Sequence, residues 1–218
     1  GVEPRTFELN LTNISKFTAF PGKLSEGMWV VHGPNFKFFE TGQSDGHLDG
    51  LENLAEAGSA AELVGVVDSA VGVRDMGTFT SLAGGDDGRF SFSAAPGDRL
   101  SIVTMYTPTN DTLLATRPGG VELFDGEGNP RTDVDLTTEM MWWDLGTERD
   151  QAPFMGPTQP ANQGDPRSGA AEGVVAPFVD STRALPLAPG LVRVTVEEEG
   201  GNFTIRFFNK SGSDSQTG

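Results

Sequence analysis

The sequence predicts a mainly β protein, an antiparallel β-sandwich with a short two-helix insertion, and three observations predict it. Short segments with an apolar residue at every second position recur along most of the chain, turns rich in Gly, Pro and Asp separate them, and a helical spacing occurs in one stretch only. Residues 6 to 15, TFELNLTNIS, put Phe7, Leu9 and Leu11 on one face, the period of a half-buried strand. MWVVH at 28 to 32 is a second strand, bounded by Pro21-Gly22 before it and Gly33-Pro34 after it. From Asp45 to Val71 the apolar positions Leu48, Leu51, Leu54 and Ala55, then Leu63, Val66 and Val67, follow a helical spacing that Gly58 divides into two short helices. Ser59 with Glu62 has the form of a capping box opening the second helix.

The strand period then returns. RFSFSA at 89 to 94 and RLSIVTMY at 99 to 106 flank a Pro96-Gly97-Asp98 turn and are expected to form a hairpin. Further strands are expected at 121 to 124, 132 to 138, 191 to 197 and 202 to 209. The stretch from 150 to 172 has little apolar content and predicts a long irregular surface loop, and the end, SGSDSQTG, is a flexible tail with no capacity for a core. The expected organisation is one sandwich domain over residues 1 to 197, followed by an additional strand and tail over 198 to 218.

The 218 residues carry 31 acidic and 15 basic side chains and no cysteine, for a formal charge of −16. That balance argues against a nucleic-acid partner, whose backbone needs a positive face to displace its counterions. Disulfides and thiolate metal sites are excluded. No apolar run approaches the roughly 18 to 20 residues that span a bilayer, so no transmembrane segment is expected. Lysine occurs only at Lys16, Lys23, Lys37 and Lys210, and the acids are spread over the whole length. Such a surface repels itself in dilute buffer and is screened in concentrated salt, so a halophilic setting is expected. Asn-x-Ser/Thr sequons begin at Asn10, Asn13, Asn110, Asn202 and Asn209, as in an exported and glycosylated protein. The chain opens without Met and without an apolar leader, as a trimmed secreted protein or an artificial boundary would.

The chemistry on offer is that of hard oxygen ligands. His32 and His47 are the two histidines, too few for a triad or a multi-histidine zinc site, and both are expected in structural or solvated roles. No GxSxG, GxxxxGK[ST] or HExxH motif occurs, so catalysis is not expected. Carboxylates and carbonyls suit calcium. One candidate group is DGEGN at 125 to 129, where Asp125, Glu127 and Asn129 alternate with glycines as in the first half of a calcium loop. Position 136, where a closing Glu would stand, is Leu, which favours a plain hairpin turn. A second group is Asp111 in PTNDT with Asp144 and Glu148 in WWDLGTE, the last two able to face one ion if the chain turns at Gly146. Met140, Met141, Trp142 and Trp143 form either a contact patch or alternating core positions, with core favoured, and FKFFE at 36 to 40 is expected to pack beneath the helices.

The order GPNFKFFETGQ, LDGLENLAEAG, YTPTNDT, WWDLGTE, EGVV and RALPLAPGLVRVTV, over roughly residues 6 to 197, resembles the spondin N-terminal domain family. The resemblance implies an antiparallel β-sandwich similar to calcium-dependent lipid-binding domains, and a secreted or surface protein that binds calcium. The family's calcium-end acids, in its TNDGFVG-like and DAGTD segments, fall by motif match on Asp111, Asp144 and Glu148. Two departures stand out: Glu148 replaces the usual Asp, and TNDTLLA lacks the aromatic and glycine that follow Asp in animal members. The function expected is that of an exported, non-enzymatic calcium-binding surface or matrix protein mediating adhesion or cell-envelope and biofilm contacts. Its partner is expected to be a cell-surface or matrix protein or a glycan.

The rival from a different class is a structural subunit of an extracellular filament that self-associates by strand exchange; an acid-based hydrolase is a third. Residues 203 to 211, FTIRFFNKS, align without gaps to residues 7 to 15, setting Phe203, Ile205 and Phe207 against Phe7, Leu9 and Leu11. Two strands share a period of two by chance as well. A real echo leaves two outcomes, the stump of a second tandem copy or a strand that fills the opening strand's slot in a neighbour.

Overall fold

Burial alternates along the first strand as the sequence predicts: in β1 (Arg5–Asn13) Phe7, Leu9 and Leu11 are fully buried and the residues between them half exposed. The structure, a computed structural model, describes residues 3–131, 134–164, 169–171, 173–177 and 185–199. After β1 come β2 (Leu24–His32), α1 (Leu51–Ala57), α2 (Ala61–Asp68), β3 (Val73–Phe79), β4 (Asp87–Ala94) and β5 (Arg99–Tyr106). The remainder comprises β6 (Thr112–Ala115), β7 (Val121–Glu122), β8 (Val134–Asp135), β9 (Met141–Asp144), β10 (Ala176–Pro177) and β11 (Val192–Glu198).

Among the described residues these strands make two antiparallel sheets. The smaller has the order β4-β1-β11-β8, and the larger β10-β9-β6-β5-β2-β3 with β7 beside β5. Phe7, Leu9, Phe92 and Val194 of the small sheet face Trp29, Ile102, Leu114 and Trp142 of the large one across a shared core. Phe92 shows how the halves meet: its ring stacks on Phe7 at 5.5 Å and reaches Trp29 at 5.6 Å.

The large sheet is covered on its second face too. Leu51, Leu54, Leu63 and Val67 of the helices, with Phe36, Phe38 and Phe39 beneath them, pack on Met28, Val30, Val103 and Trp143. Covering both faces explains why Trp142 and Trp143, which point to opposite sides of β9, are both buried. Met140 is buried and Met141 is left at the surface.

The turn at 95 to 98 corrects the expected hairpin. Asp98 holds it, its carboxylate accepting the Ala95 amide at 2.8 Å, yet the strands on either side belong to different sheets. β4 pairs with β1 from Arg5 opposite Ala94 to Thr12 opposite Asp87, while β5 is taken on one edge by β2 and on the other by β6 and β7. Turn chemistry alone does not distinguish a hairpin from an arch between layers. Here each strand is paired along its length by other partners, and Phe92 and Ile102 enter the shared core from opposite sheets.

The capping box is also corrected. The residue before α2 is Ala60, no side chain of the helix caps it, and the Ala60 amide donates instead to Glu26 Oε2 on β2 at 3.0 Å. A carboxylate from a neighbouring strand thus does the work that the local motif would have done. Strands β3 and β6 were not expected: Arg74, Asp75, Gly77 and Thr78 dilute the apolar period of the first, and the second is too short to show one. Residues 151–164 form turns without helix or strand, as expected of that loop. The expected strand at 202 to 209 lies outside the described residues.

Candidate metal centre

Sheet register brings together two acids that stand 33 positions apart in the chain. β6 and β9 pair with Thr112 opposite Asp144, and the Leu145 amide donates to the Asp111 carbonyl at 3.2 Å, so Asp111 and Asp144 reach the same end of the sandwich. Gly146 then turns the chain. Its φ is +69°, and a Cβ there would stand 2.9 Å from the Gly173 backbone, so glycine answers both the conformation and the close approach. The Asp144 carboxylate accepts the Gly146 amide at 2.7 Å and fixes that turn from inside.

The segment after the turn folds back over Asp111. The Glu148 amide donates to Asp111 Oδ2 at 3.0 Å. Buried Asn110 donates from Nδ2 to the Arg149 carbonyl at 3.1 Å and accepts the Gln151 amide on Oδ1 at 3.3 Å. Held from both sides in this way, Asp150 joins the other two: one carboxylate oxygen from each of Asp111, Asp144 and Asp150 lies within 4.8 Å of the others. Asp111 is buried and the other two are half buried. All three are also engaged with other groups of the chain.

Glu148 takes a different part from the one expected. Its side chain is buried, Oε1 accepts the Gly169 amide at 3.1 Å, and among the described residues nothing donates to Oε2. The three-carboxylate group therefore contains two of the acids singled out from the sequence and replaces the third with Asp150. Asp150 and Asn110 are the site residues that sequence reasoning missed. Asn110 was visible only as a sequon, and Asp150 only as one acid in a charged loop.

The donor set fits calcium better than a softer ion, since it is carboxylate oxygen without imidazole or thiolate. Calcium–oxygen distances of about 2.3 to 2.6 Å allow ligands on opposite sides of one ion to stand about 4.6 to 5.2 Å apart. The three oxygens, all within 4.8 Å of one another, do not exceed that reach.

The other candidate residues go elsewhere. Asp125 Oδ1 accepts the amides of Glu127 and Asn129, both at 2.9 Å, and Oδ2 accepts Asn129 Nδ2 at 3.1 Å, so DGEGN is a self-bonded turn. Those bonds hold the Asp125 carboxyl below its ordinary pKa. His32 is fully buried, with Nδ1 on the Gly33 carbonyl and Nε2 on the Ser101 hydroxyl; His47 is half buried and bridges Phe39.

Two of the sequon asparagines, Asn13 and Asn110, are buried. Asn13 Nδ2 is spent on the carbonyls of Gly22 and Leu82, and Asn110 Nδ2 on Arg149, so neither side chain is open to a glycan in the folded protein. Asn10 is half exposed on β1, and Asn202 and Asn209 lie outside the described residues. Of the strand-exchange candidates, Phe7, Leu9 and Leu11 are buried in a strand paired on both edges by β4 and β11; Phe203, Ile205 and Phe207 lie outside the described residues. Comparison with protein-family models finds no matching family, and comparison with curated proteins finds no similar one.

Proposed function

We propose that this chain is an exported, non-enzymatic surface or matrix protein of spondin-like type that binds calcium at one end of its sandwich and serves adhesion or cell-envelope contacts. The observation that carries the reading is the convergence of Asp111, Asp144 and Asp150 within 4.8 Å. Three carboxylates brought so close repel one another, and a divalent cation between them converts that repulsion into attraction. The buried Glu148 carboxylate adds to the negative potential beside them.

Calcium supplies a crosslink here, not a reaction. Asp111 sits on the loop before β6, Asp144 at the end of β9 and Asp150 on the loop beyond, so one ion ties three separate segments. Binding to the folded state alone stabilises it by about 2.7 kcal/mol at a hundredfold excess over the dissociation constant. Rigid loops at the end of a sandwich are what an adhesive surface needs, because less ordering remains to be done when a partner docks.

Titration calorimetry and melting curves on chelator-treated protein test the site. A saturable calcium isotherm is expected, together with a raised melting midpoint, both lost in Asp144→Asn and unaffected by Asp125→Asn. Equal calcium response in wild type and Asp144→Asn would show that the ion, if bound, sits elsewhere. The adhesive role is tested by labelling intact cells of the source organism with antibody. Surface labelling is expected, and labelling confined to the interior would overturn it.

A further inference from the structure

At the same end of the fold, a groove of about 280 Å³ runs between the β5 terminus and the 154–162 loop. Pro21, Thr107 and Pro108 form one wall, and Phe154, Gln159 and Asn162 line the other. Among the described residues none that lines the groove is charged, in a chain whose net charge is −16. Such a lining offers a charged ligand no ion-pair partner and leaves hydrogen bonding and apolar contact as the means of recognition.

Two of its residues are held in costly states. Phe154 has φ +65°, the left-handed region that bulky L residues avoid, and its amide donates to the Pro108 carbonyl at 2.8 Å, which holds the turn against the opposite wall. The reward for that strain is not burial, since the residue remains 54 % exposed. Gln159 is 3 % exposed and its backbone carbonyl is fixed by the amides of Asn162 and Gln163, yet among the described residues neither atom of its carboxamide has a hydrogen-bond partner. A buried carboxamide left so is costly unless something supplies both a donor and an acceptor.

We propose that this groove binds one neutral pyranose unit of a glycan. A hydroxyl both donates and accepts, which matches a carboxamide, and the polarised C–H bonds on one face of a pyranose suit the electron-rich face of an aromatic ring. An exposed ring, a carboxamide and two further polar residues, Thr107 and Asn162, around a space slightly below the roughly 300 Å³ of ordinary ligand pockets fit a single sugar ring. The inference names a ligand class for the adhesive role proposed above, but it rests on the groove and not on the carboxylates.

The test is saturation-transfer NMR and calorimetry on the full chain in calcium, with methyl glycosides of neutral hexoses, their short oligomers, and a proline-rich peptide as probes. Saturable binding of at least one saccharide is expected, weakened at least tenfold by Phe154→Ala. Binding is expected to survive in Phe17→Ala, whose ring is 92 % exposed outside the groove. Absence of saccharide binding, binding of the peptide alone, or saccharide binding that Phe154→Ala leaves intact overturns the proposal. Saccharide binding lost in Asp144→Asn but kept in Phe154→Ala would place the sugar at the carboxylates and overturn it equally.

Discussion

Asn110 brackets Asp150: its side chain donates to the carbonyl of the residue before and accepts the amide of the residue after. Removing that side chain in Asn110→Ala strands two backbone groups and frees the acid between them. The expected cost is about 2 kcal/mol or more in urea unfolding, with weaker calcium binding in proportion to the added freedom of Asp150. Asn110→Asp keeps the acceptor, loses the donor and adds a charge, and is expected to be worse. An unchanged unfolding midpoint in Asn110→Ala would show that the bracket is incidental.

Glu26 and Ser59 offer a second comparison. Because α2 takes its amide acceptor from β2 and not from its own sequence, Glu26→Ala is expected to destabilise by about 1 kcal/mol. Ser59→Ala is expected to lie near zero, since the hydroxyl meets the Ala61 amide only at 3.5 Å. Chemical denaturation of both variants checks the order, and a larger loss at Ser59 reverses the assignment of the cap.

Much of this fold was legible because period-two burial is a local property of a strand. Phe7, Leu9 and Leu11 announce β1, and the two helices announce themselves by Leu51, Leu54, Leu63 and Val67. Partner choice is not local: nothing in PGD at 96 to 98 states whether the strands beside it share a sheet, and β4 and β5 do not. The site divides in the same way. Asp111 and Asp144 were legible through segments that resemble a known family, whereas Asp150 reaches them by two hydrogen bonds from Asn110, a tertiary contact without a sequence period. Glu148 was expected among the ligands, and its longer side chain instead accepts the Gly169 amide.

Salt is expected to stabilise the protein. The charge of −16 is dispersed, and the ion pairs on view, such as Lys37–Glu40 and Arg117–Glu139, are largely exposed and contribute little each. Diluting sodium chloride from molar to millimolar lengthens the screening distance from about 3 Å to beyond about 30 Å, so the acids repel one another across the surface. The melting midpoint is expected to fall on dilution in the presence of chelator, which removes any effect of calcium. A midpoint that stays level or rises would remove the halophilic reading.

His32 sets the last expectation, on pH. Its Nδ1–H donates to the Gly33 carbonyl at 2.7 Å, so Nε2 is the acceptor for the Ser101 hydroxyl at 2.8 Å, and the ring is neutral in this arrangement. Burial lowers its pKa below the ordinary 6.5; the Gly33 bond opposes that, Arg99 reinforces it and Asp98 opposes it. The unfolded chain therefore takes up a proton that the folded one refuses. Stability is fully present above about pH 6.5 and falls as pH drops below it, until the folded histidine is itself protonated. Urea midpoints between pH 7.5 and pH 5.5, above the range in which most carboxylates titrate, are expected to decline in wild type. His32→Gln, which does not titrate, is expected to be less stable at pH 7.5 and to lose most of that slope. An equal slope in both proteins would assign the acid sensitivity to other groups.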